Sequence, residues 1–184
     1  MSARASARRG SGSVRTGESG QALLELALVT PVLVLLFVSV VQFGVIFQRE
    51  IGIENAVREA ARRGATMDTD PTNAAGNAAW TLGELQTLLL NLQGHDAAQE
   101  RDLQVCYYTP AAPNDVDPLG NKQVLVKVQA GYAHPLFLPL ISGILDGIDG
   151  VGDDALRADT SSEFHVEQET AVDLGGTSYC ATPP

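Results

Sequence analysis

The most prominent pattern in the chain is an uncharged apolar run near the N-terminus. No residue from Leu26 to Val41 is charged, and extending the run to Ala22 and Phe47 gives about 26 residues. As a helix this run would be roughly 39 Å long, which is enough to cross a bilayer with some tilt. It is apolar on all sides, whereas a core helix keeps polar residues on one face. The pattern therefore predicts a transmembrane helix over residues 21–47.

Helical spacing continues beyond the apolar run. Two Glu–Arg pairs four residues apart, Glu54–Arg58 and Glu59–Arg63, favour a helix over residues 48–66. A stripe of small and aliphatic residues follows the same period: Ile53, Ala56, Val57, Ala60, Ala61 and Gly64. We expect this stripe to pack on the protein's own sheet, with a contact to another subunit as the alternative.

The pattern then predicts a second helix over about residues 71–93. Asp70 would cap it, Pro71 would occupy its first position, and Gly94 would follow its end. Its apolar face would comprise Trp80, Leu85, Leu88, Leu89 and Leu92.

Period-two alternation appears in the last third of the chain. Residues 103–109, 123–132 and 158–166 favour strands, and the proline-rich segment 110–121 separates the first two. The apolar, proline-broken segment 134–145 is expected to be a loop that covers the core, or else a contact surface. These elements predict an α+β fold in which residues 67–184 combine the second helix with a small antiparallel sheet.

Charge is segregated along the chain and predicts the topology. Residues 1–20 form a basic leader with four arginines and Glu18, while the chain beyond Phe47 carries 8 basic and 20 acidic residues, a net charge of −12. Positive charge is retained on the cytoplasmic side, so the leader should be inside and the C-terminal domain extracytoplasmic. Arg49, just past the run, is expected to be offset by Glu50. The acidic domain also argues against nucleic acid as a partner.

A cleaved secretory signal is the competing interpretation of this N-terminus. Its apolar core would be about 7–15 residues long, and no cleavage site with small residues stands out after the run. We therefore favour a single-pass protein of the inner or cytoplasmic membrane.

Glu25 is the unusual residue of the apolar segment. An ionised carboxylate at the bilayer centre costs roughly 2.5–3.5 kcal/mol, and less near the interface. Glu25 could simply mark that interface. However, Gly20 precedes it by five positions and follows a short basic leader, a pattern that resembles a type IV prepilin processing site. By that resemblance a prepilin peptidase would cut between Gly20 and Gln21.

Residues 20–65 resemble the TadE-like family, the minor pseudopilins of tight-adherence pilus systems. The motifs that carry the resemblance are Gly20 to Glu25, Pro31, Gln42-Phe43-Gly44 and the segment from Asn55 to Arg62. Leu26 departs from it, because pilins commonly place an aromatic residue after the glutamate.

The resemblance implies a pseudopilin-like protein for assembly of a tight-adherence pilus. Its partners would be a prepilin peptidase, other pseudopilins and membrane lipid. Glu25, Pro31 and Gly44 would be the residues that matter for packing in the assembly. The competing interpretation is an unprocessed, membrane-anchored extracytoplasmic binding module.

Catalytic patterns are scarce in this sequence. His95, His134 and His165 are far apart in sequence, and the acidic stretch 146–154 lacks the spacing of a calcium loop. We therefore expect no enzyme activity, no cofactor and no metal site. Cys106 and Cys180 match no zinc pattern, but in an exported domain they could form a disulfide.

Thiol labelling in intact cells tests both the topology and the disulfide. If the domain is outside and Cys106 is bonded to Cys180, a membrane-impermeant maleimide should label the chain only after an impermeant reductant has been added. Labelling that appears only after lysis would reverse the topology, and labelling without reductant would contradict the disulfide.

Overall fold

The computed structural model of the chain describes residues 16–67, 73–92, 95–113, 116, 120, 123–136, 143, 147, 150, 152, 155–166, 174 and 176–184. It divides into two compact units, Met1–Val41 and Gln42–Pro184. Most of the leader, the predicted caps at Asp70, Pro71 and Gly94, and most of segments 134–145 and 146–154 lie outside the described residues.

One long helix, α1, covers Thr16–Ala65. In the first unit its described side chains are exposed on nearly all sides, including the large apolar ones. Within the described part of the chain, this is the one helix long and apolar enough to cross a membrane. The predicted transmembrane helix therefore has its counterpart in the structure.

The second unit is an α+β domain, as predicted. After α1 come α2 (Ala74–Leu90), a short 3-10 helix (Ala97–Gln99), and strands β1 (Glu100–Tyr108), β2 (Leu125–Pro135), β3 (Ala155–His165) and β4 (Tyr179–Ala181). The strands form an antiparallel sheet in the order β3-β2-β1-β4.

The core forms where α1, α2 and one face of the sheet meet. The predicted stripe of α1 is buried there, with Val57, Ala60 and Ala61 fully inaccessible to solvent. They pack with Val105 of β1 and Val126 of β2 among other residues of one core cluster. The expectation that the stripe packs on the protein's own sheet is confirmed, because small side chains let the helix backbone approach the strands closely.

A hydrogen-bonded triad joins three elements within this core. The buried hydroxyl of Tyr107 in β1 donates to the carbonyl of Gly64 in α1, 2.8 Å away, and lies 3.1 Å from the hydroxyl of Thr81 in α2. Burial raises the pKa of Tyr107 above its ordinary value, against a smaller opposing effect of Thr81. The phenol therefore stays neutral and keeps its donor.

Helix α2 is shorter than the sequence predicted. It begins at Ala74, because the first helical hydrogen bond runs from the amide of Asn77 to the carbonyl of Asn73, and Asn91 ends it. The predicted apolar face was wrong in one member: Trp80 is 44% exposed. The buried positions are Ala74, Ala78, Thr81, Leu82, Leu85 and Leu89, while Leu88 and Leu92 pack at the margin of the core.

Each of the three predicted strands extends beyond its predicted limit at one end and falls one or two residues short at the other. β1 and β3 each begin three residues earlier than the alternation indicated, and β2 continues through His134 to Pro135. The sequence did not indicate β4, a three-residue strand paired with the middle of β1. The structure joins Cys106 to its register partner Cys180 by a disulfide, with 4.1 Å between the Cα atoms.

Two glycines in helices allow a matched test of the triad. A Cβ on Gly64 would lie 2.9 Å from the hydroxyl of Tyr107 and 3.0 Å from the side chain of Thr81, whereas a Cβ on Gly83 would meet nothing within 4 Å. Overpacking costs typically 1–3 kcal/mol, and alanine gains about 1 kcal/mol over glycine in a helix. We expect Gly64→Ala to lower the free energy of unfolding by about 1–2 kcal/mol and Gly83→Ala to raise it by up to about 1 kcal/mol.

Urea unfolding followed by the fluorescence of Trp80, the single tryptophan, measures both variants with the disulfide intact. If both substitutions raised the free energy of unfolding by the same amount, the close approach of Gly64 to the hydroxyl of Tyr107 would be contradicted.

Candidate functional site

The predicted processing residues lie in the first turns of α1. Gly20, Gln21 and Glu25 are all exposed and helical. Gln21 and Glu25 are four residues apart, so they lie on the same side of the helix. The structure gives the Glu25 carboxylate neither a hydrogen bond nor an ion pair within the described residues. The carboxylate is thus available to a group outside the chain.

Pro31 lies inside the membrane segment of α1 without a break in the assigned helix. It has no amide hydrogen, which removes the bond to the carbonyl four residues earlier, that of Ala27. Thr30 does not replace this donor, because its hydroxyl donates to the carbonyl of Leu26 at 2.7 Å. Ser39 makes the same kind of bond to Leu35, so both hydroxyls of this stretch are satisfied within the helix.

The Gln42-Phe43-Gly44 motif opens the second unit. Gln42 is only 6% exposed, yet neither its amide oxygen nor its amide nitrogen has a hydrogen-bond partner among the described residues. Leaving such a group buried costs about 1–3 kcal/mol. Gly44 is exposed, and a Cβ there would meet nothing within 4 Å. The fold of this chain therefore does not require glycine at position 44.

The far end of α1 shows the opposite pattern, with every charge paired. Glu59 accepts hydrogen bonds from Arg62 and Arg63, and Arg63 also contacts Glu84 of α2 at 2.5 Å. The bonds from Arg62, and then those from Arg63, hold the pKa of Glu59 at about 2. This contribution to stability is present at neutral pH and is lost as the pH falls toward 2. The two predicted Glu–Arg pairs are both formed.

The structure brings together two histidines that the sequence kept apart. Tyr132 lies between them, with ring centroids 5.4 Å from His95 and 5.0 Å from His134. Each imidazole contacts one glutamate: His95 lies 2.7 Å from Glu100, and His134 lies 3.3 Å from Glu50. Both histidine side chains are almost completely buried. No spacing in the sequence could indicate this group of two histidines, one tyrosine and two glutamates. Its members come from α1, β1, β2 and the segment before the 3-10 helix.

Glu50 and Arg49, whose charges offset each other along the sequence, form no ion pair within the described residues. The Glu50 carboxylate faces the buried His134 instead. Arg49 makes no hydrogen bond and no ion pair within the described part of the chain. A cavity of 520 Å³ lies beside it, lined by Val45, Gln48, Arg49, Gly52, Ile53, Asn91, Leu92, His95 and Tyr132.

Metal-ligating side chains do not cluster in groups of three or more among the described residues. The histidine–glutamate pairs are separate contacts on either side of Tyr132. The prediction that the chain holds no metal stays a prediction.

Residues 20–62 match the family described as TadE-like protein. This stretch is similar to that family, and we refer to residues 20–62 as the TadE-like segment. The resemblance predicted from the sequence is confirmed over these residues, which are less than half of the 184-residue chain. No curated protein and no solved structure matches the chain.

The TadE-like segment begins at Gly20, the predicted scissile residue, and covers the whole apolar run. It ends at Arg62, three residues before the end of α1. Its last third is explained by the chain's own core, since Ala56, Val57, Ala60 and Ala61 are buried there. Folding of the domain does not account for Glu25, Gly44 or Gln42.

Proposed function

We propose that the protein is a membrane-anchored, pseudopilin-like subunit that acts in the assembly of a tight-adherence pilus. The observation that carries the proposal is the TadE-like match over residues 20–62. It combines the glycine–glutamate pattern with an apolar helix that continues into a folded domain. The domain would lie on the extracytoplasmic side, where its partners would be other pilus assembly proteins and membrane lipid.

In this proposal a prepilin peptidase removes the leader by cutting between Gly20 and Gln21. Both residues lie in α1, so the helix has to unwind locally before the bond is accessible. Glycine lowers that cost, because it stabilises a helix by about 1 kcal/mol less than alanine does. Its lack of a side chain also lets a membrane protease approach the backbone closely.

Glu25 would then act in assembly rather than in insertion. Cleavage creates an α-amine at Gln21, and a carboxylate in a neighbouring subunit can neutralise such an amine in a dry environment. Each charge offsets the desolvation cost of the other. The free carboxylate of Glu25, which has no partner within the described residues, supports this role.

A specific observation also favours a second candidate, an unprocessed membrane-anchored binding module. The cavity beside Arg49 has a volume within the 300–1,000 Å³ range of small-molecule sites. The two candidates differ in the mature N-terminus. Either way we propose a protein without enzyme activity.

Replacement of Gly20 tests the processing step. We expect the mature wild-type chain to begin at Gln21, and Gly20→Glu to leave residues 1–20 attached, because the bulky charged side chain blocks the approach to the bond. Intact-mass measurement of the membrane-extracted chain distinguishes the two forms.

Gly17→Glu is the matched control, because it places the same charge three residues earlier in the leader. We expect this variant to be processed. A wild-type chain that retains its leader in cells that contain the peptidase would refute the processing step and favour the binding module.

Replacement of Glu25 tests the assembly step. Glu25→Leu should insert normally, because the segment becomes more apolar. It should also lose most crosslinking to pilus proteins, because a buried amine without its charge partner costs roughly 3–5 kcal/mol. Carbonate extraction measures insertion, and in vivo crosslinking measures assembly.

Two further variants sharpen this result. Glu25→Asp keeps the charge and should retain part of the crosslinking. Gly44→Ala leaves the chain's own packing unchanged, so a loss of crosslinking in this variant would report a close contact with another subunit. Normal piliation by Glu25→Leu would rule out the pairing of Glu25 with an amine.

A further inference from the structure

The unpaired Arg49 is placed where α1 leaves the apolar run. It follows Phe47, the last residue of that run, by two positions, or about 3 Å along a helix. The headgroup region adds about 5–7 Å to each side of a hydrocarbon core about 30 Å thick. Arg49 and the cavity that it lines therefore lie at the depth of lipid headgroups when the apolar run spans a bilayer.

Arg49 lines the cavity without a counter-charge among the described residues. The nearby carboxylates have other partners: Glu50 faces His134, Glu100 faces His95, and Glu54 pairs with Arg58. Arg49 is half-buried and has no partner of its own among the residues that the structure describes. A guanidinium held in this way favours an anion with several oxygens, for which it can form two parallel hydrogen bonds.

Apolar side chains share the lining with polar ones, because Val45, Ile53 and Leu92 line the cavity together with Arg49. Apolar neighbours in the sequence are exposed. Phe47 is 65% exposed, Ile51 is 60% exposed, and Leu90, which precedes the lining residue Asn91, is 66% exposed. Gln48 and Asn91 supply further polar atoms to the cavity beside Arg49. A site that combines a cation and polar groups with apolar side chains matches a ligand that carries a phosphate on one side and acyl chains on the other.

We propose that this cavity binds the phosphate headgroup of a membrane phospholipid, with Arg49 as the residue that contacts the phosphate. The proposal rests on the membrane span of α1 and is independent of pilus assembly. A chain that keeps its leader would therefore leave it intact. The domain beyond Phe47 has a net charge of −12, so its overall charge does not attract it to anionic lipid. Arg49 would instead hold the domain at the bilayer surface through one local contact with a phosphate.

Lipid titration of the full chain in detergent micelles tests the site. Native mass spectrometry would report the apparent affinity for the first molecule of dioleoyl phosphatidylglycerol. We expect Arg49→Gln to weaken this affinity about ten-fold, the loss expected for one charge-assisted contact. Arg49→Lys keeps the charge and should restore part of it.

Arg58→Gln is the matched control, because Arg58 is an exposed arginine of the same helix that is already paired with Glu54. We expect this variant to bind lipid as the wild-type chain does. Dioleoylglycerol, which lacks a phosphate, should bind the wild-type chain no better than it binds Arg49→Gln. Equal lipid affinities for Arg49→Gln and Arg58→Gln would overturn the proposal.

Two further experiments distinguish a lipid from other occupants of the cavity. Inorganic phosphate at millimolar concentration should not displace the lipid, because it has no apolar part to contact Val45, Ile53 and Leu92. Full displacement would indicate a free-phosphate site and overturn the lipid assignment. A photoreactive residue in place of Gln48, which leaves Arg49 intact, should yield a chain with the added mass of one phospholipid after illumination in membranes. A protein adduct instead would identify the cavity as a docking site for another chain.

Discussion

The triad of Tyr107, Gly64 and Thr81 is the contact on which the arrangement of the domain depends. It joins β1 to both helices through one buried hydroxyl, and it forms only where α1 and α2 lie close enough for a helix carbonyl and a threonine hydroxyl to reach the same oxygen. Any larger residue at position 64 would occupy the space of that oxygen. Since the buried hydroxyl has to be satisfied, the triad fixes where α1 and α2 lie relative to the sheet.

Helix α1 is one regular helix whose two parts have to suit different surroundings, lipid for the first and a domain core for the second. Lipid demands that all sides be apolar and that every amide be satisfied within the segment. A domain core demands one face of small side chains and a charged face toward water. The sequence changes from the first requirement to the second after Phe47, and the fully buried positions Val57, Ala60 and Ala61 follow within four turns. Pairs such as Glu59–Arg63 then support the helix on its water side.

The parts of the fold that follow from local pattern could be predicted from the sequence. The apolar run, the stripe of α1 and the alternation of β3 each depend on a period that is visible in the letters. Trp80 was misplaced because a face was inferred from side-chain size, whereas the helix buries Ala74 and Ala78, which allow closer packing. β4 was missed because three residues are too few to show a period, and its position depends on pairing with β1.

The candidate site also has one part that the sequence could indicate and another that it could not. Gly20, Gln21 and Glu25 form a linear motif, so the sequence alone could indicate them. The cavity beside Arg49 could not be predicted, because its lining combines one face of α1 with the end of α2 and a residue of β2. The contact between Glu50 and His134 was also unpredictable, since the two residues are 84 positions apart.

Paired and unpaired polar side chains are distributed unevenly along α1. At the far end of α1, Glu59, Arg63 and Glu84 are all bonded to one another. Toward the other end of the domain's part of α1, the amide of Gln42 inside the apolar run has no partner, and Arg49 just past the run has no counter-charge, within the described residues. Folding alone would favour apolar residues at such positions, since each unpaired group lowers stability. Departures of this kind concentrate where a protein meets a ligand or a partner, which supports the proposal that the membrane-proximal turns of α1 make external contacts.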